Sequence, residues 1–342
     1  MAKVFLTGAD GYIGTVLGPY LLERGHEVTG CDTGFHRAGW LYNGVQTSPR
    51  VLTRDVRTIT TDDLAGHDAV IHLAELSNDP VGELSPHITR AINFEGSARL
   101  AHLARSAGIS RFIYFSSCSV YGASAETAQD ENGQTEPLTA YAECKLLVEA
   151  ELARMAGDDF SPTVLRNATA YGASPRQRFD LVVNNLAGHA WCSGKIRVDS
   201  DGSPWRPLVH ILDIAQAAAC ALEAPRDVVH AETFNVGANS ENYQVRDVAT
   251  IVGRAFPGCE VTFGDRSGDR RDYRVNFDKI ASRLPGFHAR WTVEKGARQL
   301  HDLFERIRMP TDLFESRAHT RLKQIRWLLE TRQIDADFYW TE

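Results

Sequence analysis

The hydrophobic residues of the N-terminal half follow two alternating patterns. Short apolar runs of the kind found in strands occupy residues 3–7, 27–31, 50–54, 69–74, 111–117 and 162–167. Apolar residues recur at helical spacing in 12–23, 88–106 and 140–155, which predicts amphipathic helices between the strands. Runs rich in Val, Ile and Phe that alternate with helices are typical of a parallel sheet covered on both faces. The pattern therefore predicts an α/β fold with a doubly wound parallel sheet.

The alternation becomes less regular in the second half of the chain. Turn-forming residues interrupt it at 172–176 and 200–207, and strand-like runs return at 207–211 and 233–237. We therefore expect a smaller second domain that interleaves with the sheet domain. The predicted boundaries are 1–171 with 207–240 for the sheet domain, 172–206 with 241–310 for the smaller domain, and 311–342 for a helical C-terminal extension. An apolar stripe in this extension favours packing on the same chain over contact with a partner helix, and consists of Leu322, Ile325, Leu328 and Leu329.

Composition narrows the function classes. The 342 residues are 43% hydrophobic and 24% charged, which is typical of folded proteins. A net charge of -7 without a basic block argues against a nucleic-acid partner. No apolar run approaches the ~18 residues of a membrane helix, and no targeting signal is recognisable, so we expect a cytoplasmic protein without a membrane partner. The six cysteines form no CxxC pair, and we expect neither a disulfide framework nor a metal.

A glycine-rich loop follows the first predicted strand. Gly8, Gly11 and Gly14 lie three residues apart where the first helix begins. They suit a tight turn, close backbone approach to a pyrophosphate and close packing of helix on strand, while the helix dipole favours the anion. Asp32 ends the second strand, where a carboxylate accepts ribose hydroxyls and repels a 2′-phosphate. The pattern favours NAD over NADP in a Rossmann-type site, and the alternative for Asp32 is an ordinary turn residue.

A tyrosine and a lysine share one face of a predicted helix. Tyr141 and Lys145 are four residues apart, so that their side chains lie together. A tyrosine is a poor base at neutral pH, but a nearby ammonium group and an oxidised nicotinamide favour the phenolate, which can then take a proton from a sugar hydroxyl. Ser117 ends a buried strand, at the sheet edge where ligands bind, and can hydrogen-bond the reacting oxygen. The alternative is a solvent-facing pair of no function.

Together these motifs resemble the extended short-chain dehydrogenase/reductases of the nucleotide-sugar epimerase/dehydratase family. The resemblance covers nearly the whole chain and rests on TGADGYIG (7–14), HLAELS (72–77), INFEG (92–96), SSCSVYG (116–122), YAECK (141–145), VNNL (183–186), RPLVHILDIA (206–215) and FNVG (234–237). It implies that the sheet domain is a Rossmann domain that binds NAD, and that the smaller domain binds a nucleotide-diphosphate sugar. It also implies a homodimer that pairs through helices 88–106 and 140–155.

The resemblance also implies individual site residues. The catalytic residues would be Ser117, Tyr141 and Lys145. The cofactor would contact Gly8, Gly11, Tyr12, Ile13, Gly14, Asp32, Asp55, Val56, Leu73, Ala74, Asn93, Tyr141 and Lys145, with Asn93 also a structural support. The substrate would contact Ser117, Cys118, Ser119, Thr169, Asn185, Arg206, Arg266 and Arg271. Of these, Asn185 and Arg206 would contact the nucleotide diphosphate, and either Arg266 or Arg271 would complete the clamp; simple surface solvation is the alternative for the arginines.

The chain departs from its relatives beside the expected catalytic serine. Dehydratases of the family carry an Asp-Glu pair there and related decarboxylases a glutamate, whereas this chain has Cys118 and Ser119. The sequence therefore disfavours dehydration and decarboxylation. A Cys118 thiolate could abstract a C5 proton, but a small buried filler is the favoured interpretation. Thr169 replaces a common asparagine, which puts the usual substrate contact there in doubt.

We therefore expect an NAD-dependent enzyme that oxidises C4 of a nucleotide-activated sugar. The favoured activity is 4-epimerisation: Ser117 holds the hydroxyl, Tyr141 takes its proton, Lys145 lowers the tyrosine pKa and bonds the nicotinamide ribose, and the 4-ketose takes the hydride back on its other face. A net C4 dehydrogenase or 4-ketoreductase is the alternative, because it shares the first half-reaction. A dehydratase and a non-catalytic dinucleotide-binding protein are less favoured.

Overall fold

The computed structural model describes residues 1–43, 47–123, 127–266 and 271–341. Its strands are β1 (Lys3–Thr7), β2 (Glu27–Asp32), β3 (Arg50–Thr53), β4 (Ala69–His72), β5 (Arg111–Ser117), β6 (Ala128–Gln129), β7 (Ser161–Asn167), β8 (Thr169–Tyr171), β9 (Lys195–Ser200), β10 (Trp205–His210), β11 (Glu232–Val236), β12 (Asn242–Gln244), β13 (Glu260–Arg266) and β14 (Arg274–Val275). Its α-helices are α1 (Gly14–Glu23), α2 (Thr61–Leu64), α3 (Asp79–Gly82), α4 (Pro86–Thr89), α5 (Ser97–Ser106), α6 (Ala140–Met155), α7 (Val182–Ser193), α8 (Ile211–Glu223), α9 (Arg226–Val229), α10 (Val245–Ala255), α11 (Asp278–Arg283), α12 (Val293–Ile307), α13 (Thr311–Glu315) and α14 (Arg321–Glu330).

Seven parallel strands form the central sheet in the order β11-β7-β5-β4-β1-β2-β3. The order reverses between β1 and β4, where Val4 pairs with Val28 on one side and with Ala69 on the other. Every residue of β4 and of β7 is buried, as expected for strands covered on both faces. The predicted α/β fold with a doubly wound parallel sheet is confirmed.

Helices cover both faces of this sheet. On one face, Leu17 of α1 and Ile214 of α8 share a core with Leu6. On the other, Leu100 of α5 and Val148 of α6 pack with Phe5. The stretch predicted as one helix over 88–106 consists of α4, a wider helical turn from Arg90 to Gly96, and α5. All seven strands therefore direct their carboxyl ends to one edge, where ligands bind in such sheets.

The chain after β7 alternates between the main sheet and a second layer. Strands β8, β10 and β12 form a separate three-stranded sheet, and β9 pairs with β13. Helices α7, α10 and α12 pack around a third core that includes Val183, Val252 and Phe304. The chain returns to the main sheet with α8 and β11, whereas β10, which begins the segment expected to return, pairs with β8 and β12. The two layers therefore interleave along the chain.

Residues 311–341, which we call the C-terminal segment, pack on the main sheet domain. Ile325, Leu328 and Phe338 are buried in the same core as Phe5. Side-chain hydrogen bonds add three ties to the loops after β2 and β3: Gln324 Nε2 to Phe35 O at 2.9 Å, Trp340 Nε1 to Thr33 O at 2.7 Å, and Arg57 Nη1 to Asp337 O at 2.7 Å. The apolar stripe thus packs on its own chain.

The described ranges contain neither a membrane-spanning helix nor a metal-binding cluster. No helix there is both long enough and apolar enough to cross a bilayer. No group of three or more His, Cys, Asp and Glu side chains there is placed to hold a metal ion.

The shared core makes the C-terminal segment part of the cooperative fold. Leu328 is 1% exposed. Its replacement by alanine should lower the free energy of unfolding of the whole protein by about 2–5 kcal/mol. Urea denaturation followed by tryptophan fluorescence measures this change. Leu138→Ala, at a side chain that is 41% exposed, is the control and should change stability by less than about 0.5 kcal/mol. An unchanged main transition for L328A would show that the segment unfolds on its own.

Candidate active site

A large cleft opens at the carboxyl edge of the main sheet. It contains about 1710 Å³ of space, a figure that includes the solvent in its open mouth. Most of the predicted site residues line it: Gly8, Gly11, Tyr12, Ile13, Gly14, Asp32, Asp55, Val56, Leu73, Ala74, Ser117, Ser119, Tyr141, Lys145, Thr169 and Arg271. The cleft therefore joins the glycine loop to the predicted catalytic residues in one continuous site.

The glycine loop approaches the neighbouring backbone too closely for side chains. Gly8 has a φ of +72°, and a Cβ there would lie 3.0 Å from the backbone nitrogen of Ala74. A Cβ on Gly14 would overlap the carbonyl oxygen of Gly8. No side chain caps the N-terminus of α1 at Gly14, although the N–H groups of Thr15 and Val16 already bond the carbonyl oxygens of Gly11 and Ile13 at 3.1 and 3.0 Å, so the close backbone approach is what offers an anion a place. This cradle fits the pyrophosphate of NAD.

Two acidic residues lie at the far end of this loop. Asp32 is held by the backbone, because its carboxylate accepts hydrogen bonds from the N–H of Gly34 at 2.7 Å and of Asp10 at 3.1 Å. Burial raises the pKa of Asp32, and these bonds lower it in part. Asp55 binds the Arg57 guanidinium through both oxygens, at 2.9 and 2.8 Å. The backbone thus fixes the orientation of the Asp32 carboxylate in the cleft, whereas the carboxylate of Asp55 has a cationic partner.

Two buried side chains fix the loop after β4. Thr7 Oγ1 accepts hydrogen bonds from the N–H groups of Leu73 and Ala74, at 3.1 and 3.2 Å. The amide of Asn93 bonds both the N–H and the carbonyl of Leu76, at 2.8 and 3.1 Å. Because both ends of this amide are used, Asn93 supports the wall of the cleft from behind, and the cofactor contact expected for it is absent from the described lining.

The predicted catalytic residues meet in the cleft. Ser117 ends β5, and the first turns of α6, capped by Thr139, place Tyr141 and Lys145 opposite it. The Ser117 hydroxyl, which accepts a hydrogen bond from the Ser119 N–H at 3.1 Å, lines the cleft with the Tyr141 phenol, and Lys145 Nζ lies 5.3 Å from the centre of the Tyr141 ring. Lys145 is 4% exposed and also donates a hydrogen bond to the carbonyl oxygen of Phe115. A hydroxyl, a phenol and an amine therefore share one wall.

A buried carboxylate completes this group. Glu75 Oε2 lies 2.7 Å from Lys145 Nζ, and the side chain of Glu75 is only 2% exposed. Its other oxygen accepts a hydrogen bond from the Tyr114 hydroxyl at 2.7 Å. Burial raises the pKa of Glu75, and the Lys145 amine and the Tyr114 hydroxyl lower it in part. Sequence reasoning gave Glu75 no role, although it lies within the motif HLAELS directly after a buried strand.

The surroundings of Tyr141 favour the protonated phenol. Burial raises the pKa of Tyr141 well above 10, and the negative charges of Glu75 and Asp79 raise it further. The Arg178 guanidinium and the hydrogen bond with Ser117 lower this pKa in part. Since Lys145 is paired with Glu75, its charge is largely compensated. Additional positive charge beside Tyr141 is therefore needed to make the phenolate.

Two arginines line the substrate side of the cleft. Arg271 forms an ion pair with Asp79. Arg178, which sequence reasoning missed, holds Asp180 through two bonds at 2.9 and 3.1 Å. It lies in the segment SPRQRFDLVVNNL, where a buried Arg-x-Asp pair was the available signal. Both arginines have carboxylate partners, which keep the guanidinium groups oriented in the cleft.

Several expected substrate contacts lie elsewhere. Cys118 is fully buried behind the wall, where its thiol donates to Arg166 O at 3.1 Å. Burial raises the pKa of this thiol far above its ordinary value, which agrees with a buried filler and not with a thiolate base. The amide of Asn185 donates to Phe179 O at 2.9 Å, and Arg206 donates to the carbonyls of Trp205 and Arg271. Neither is part of the described lining, because backbone groups take up their donors. The side chain of Arg266 lies outside the described residues.

Comparison with known proteins adds a family to this geometry. The model of the NAD dependent epimerase/dehydratase family matches residues 4–237. The chain belongs to this family. Its cofactor is NAD, as the glycine loop and Asp32 indicated, and the protein is an NAD-dependent enzyme. The matched region includes β1 to β11, and the C-terminal segment lies beyond it.

The sequence identity between this chain and individual members of the NAD-dependent epimerase/dehydratase family is low. A UDP-glucose 4-epimerase of Corynebacterium glutamicum is 28% identical over 314 residues, or 85% of this chain and 91% of that protein. The structure of MoeE5 in complex with UDP-glucuronic acid and NAD has a TM-score of 0.77 at 26% identity, and the match covers 89% of this chain and 99% of MoeE5. TunA, an NAD-dependent NDP-hexosamine 5,6-dehydratase, has a TM-score of 0.78 at 22% identity, covering 90% and 98% of the two chains, and shows the shared fold.

The placement of Cys118 predicts that its thiol is dispensable for turnover. Cys118→Ala removes a buried sulfur that does not line the cleft, and we expect turnover within about twofold of wild type at a small cost in stability. Steady-state kinetics with circular dichroism as the folding control test this. A correctly folded C118A protein that had lost its activity would place the thiol in the mechanism.

The pairing of Glu75 with Lys145 predicts a shifted pH profile. Glu75→Gln keeps an acceptor for the Tyr114 hydroxyl but removes the negative charge that raises the pKa of Tyr141. A general base acts when deprotonated, so turnover rises with pH through its pKa; lowering that pKa should move the rising limb of the profile to lower pH. Glu143→Gln, at an exposed position of α6, is the matched control and should leave the limb in place. A limb that stayed unmoved in E75Q would separate Glu75 from the titration of Tyr141.

Proposed function

We propose that this enzyme oxidises C4 of a nucleotide-diphosphate sugar and returns the hydride to the other face of the ring, so that its net reaction is 4-epimerisation. The observation that carries the proposal is the meeting of the Ser117 hydroxyl, the Tyr141 phenol and the Lys145 amine in the same cleft as the glycine loop. A hydroxyl donor and a tyrosine base are the groups that oxidation of a secondary alcohol needs.

Each residue of the group has a separate task. Tyr141 accepts the proton of the substrate 4-hydroxyl, and Ser117 orients that hydroxyl by hydrogen bonding. When bound, NAD supplies the hydride acceptor and a positive charge near the phenol. Lys145, released in part from Glu75, bonds the ribose and stabilises the phenolate. When the ketone is reduced on its other face, Tyr141 returns the proton, so that the enzyme ends in its starting state.

The cations of the cleft support a diphosphate substrate. Arg271 and Arg178 line it, and guanidinium groups suit the paired oxygens of a diphosphate better than ammonium groups do. The names of the relatives point to uridine nucleotides, since one is a UDP-glucose 4-epimerase and MoeE5 was solved with UDP-glucuronic acid. We therefore place a UDP-hexose or UDP-hexuronic acid first among the substrates.

The structure gives less support to the other reactions. Loss of water needs an acid and a base beside C5 and C6, but Cys118 lies behind the wall and Ser119 presents a hydroxyl there. A protein that only binds the dinucleotide has no use for a hydroxyl, a phenol and an amine on one wall of the cleft. A net C4 dehydrogenase uses the same wall as an epimerase, and product analysis separates the two. The homodimer expected through α5 and α6 remains part of the proposal.

The decisive experiment follows sugar and cofactor together. Purified protein is incubated with UDP-glucose, UDP-glucuronic acid and other nucleotide sugars while absorbance reports reduced nicotinamide and NMR reports the sugar. A new C4 stereoisomer without lasting reduced nicotinamide supports epimerisation. A ketosugar that accumulates with reduced nicotinamide would make the protein a net dehydrogenase, and loss of water from the sugar would make it a dehydratase.

The role of Tyr141 is tested by removing one oxygen. Tyr141→Phe should lower turnover about 10²–10⁴-fold, the usual contribution of a general base, while NAD binding stays nearly unchanged because the ring remains in place. Turnover and NAD affinity are measured on the same preparation. Tyr20→Phe, a half-buried tyrosine of α1 outside the cleft, is the matched control. Turnover retained in Y141F would remove the phenol from the mechanism.

A further inference from the structure

The C-terminal segment contributes one charged side chain to the cofactor end of the cleft. Arg321 is the first residue of α14, is 4% exposed, and lines the cleft together with the glycine loop and Asp32. It lies beyond residues 4–237, which the family model matches. The segment therefore brings a buried guanidinium to the same cleft as the glycine loop.

The guanidinium of Arg321 has no hydrogen-bond or ion-pair partner within the described ranges. Its neighbours differ in this respect: Arg178 is paired with Asp180 at 2.9 Å, and Arg176 donates to the carbonyls of Arg37 and Gly39 at 2.6 and 2.5 Å. Only the backbone N–H of Arg321 is bonded, to Asp180 Oδ2 at 3.4 Å. A buried cation without a partner costs free energy, so this arrangement lacks an anion.

The charged groups around Arg321 leave room for one more negative charge. Asp180 and Asp32 attract it, but Asp180 is held by Arg178 and Asp32 by two backbone N–H groups. Arg178 and Arg176 repel it, and together with burial they lower the pKa of Arg321 to about 9. His36 faces the same three arginines, which with burial hold its pKa well below 6.5 and keep it neutral. The cluster therefore has an excess of positive charge that an anionic ligand would balance.

We propose that Arg321 binds the pyrophosphate of NAD, and that the C-terminal segment is a working part of the cofactor site. The glycine loop and the N-terminus of α1 supply backbone N–H groups to the same ligand, and a guanidinium adds paired charge-assisted hydrogen bonds. Arg321 is held in place before the ligand arrives, because Gln324 and Trp340 tie the segment to the carbonyls of Phe35 and Thr33. Little ordering is then needed on binding.

The inference concerns the cofactor and holds whichever sugar reaction the enzyme catalyses. Arg321→Met keeps the length of the side chain and removes its charge, and Arg326→Met, on the exposed side of the same helix, is the matched control. For both variants and wild type, the exchange of bound NAD with isotopically labelled NAD is followed by mass spectrometry. Affinities for NAD, NADP, ADP and adenosine are measured by calorimetry after the bound nucleotide is removed, and melting temperatures are measured with and without NAD.

We expect R321M to release NAD at least about tenfold faster and to bind NAD and ADP at least about tenfold more weakly, with adenosine unchanged. The melting temperature of the nucleotide-free R321M protein should not fall, because the variant removes an unpaired buried charge, whereas the stabilisation by NAD should shrink. R326M should match wild type throughout. Unchanged NAD and ADP affinity, an equal loss for adenosine, or a selective loss of NADP binding would each overturn the assignment to the pyrophosphate. These readouts involve no sugar, so their failure leaves the proposed epimerisation untouched.

Discussion

The parallel arrangement of the seven central strands is the constraint on which the rest of this molecule depends. It directs every carboxyl end to one edge of the sheet, so that residues far apart in the chain meet there. Thr7, Asp32 and Ser117 end β1, β2 and β5, and Glu75 follows β4, so that all four lie on this edge. The sheet is buried on both faces by helices, and the edge is therefore the part of the sheet that remains open to a ligand. Cofactor site and catalytic wall follow from this single geometry.

Charge in the cleft is arranged mainly as pairs. Lys145 is held by Glu75, Arg178 by Asp180 and Arg271 by Asp79. A carboxylate partner orients a buried cation and offsets the free-energy cost of burying its charge. The same partner weakens the effect of that charge on other nearby side chains. The phenol of Tyr141 is accordingly kept protonated by its surroundings until a ligand adds positive charge. Arg321 departs from this pattern, because its guanidinium has no partner within the described ranges. This difference separates a cation that we propose binds a ligand from cations that are already paired within the fold.

The C-terminal segment joins stability to cofactor binding. Its apolar residues share a core with the main sheet, and its polar ties reach the loops after β2 and β3, near Asp32 in the cleft. Folding of the segment therefore shapes the site, and a ligand bound in the site would stabilise the segment in return. A helical extension outside the part of the chain that the family model matches is thus integrated with the fold of the sheet domain.

The sequence by itself determined the features that depend on local spacing. The apolar runs predicted the strands, the glycine spacing predicted the loop, and the i, i+4 spacing of Tyr141 and Lys145 placed them on one face of α6. Only the tertiary structure decided which side of the wall each residue faces. Cys118 and Ser119 are neighbours, yet the first is buried behind the wall and the second lines the cleft.

The tertiary structure alone also decided which residues far apart in the chain become partners. No local pattern pairs Glu75 with Lys145 or brings Arg321 to the glycine loop. The physical reason is the range of the interactions. Local hydrogen bonding and side-chain periodicity act within a few residues and can therefore be recognised in the sequence. The partner of a buried charge, by contrast, lies across the folded core, where the packing of the whole chain sets its position.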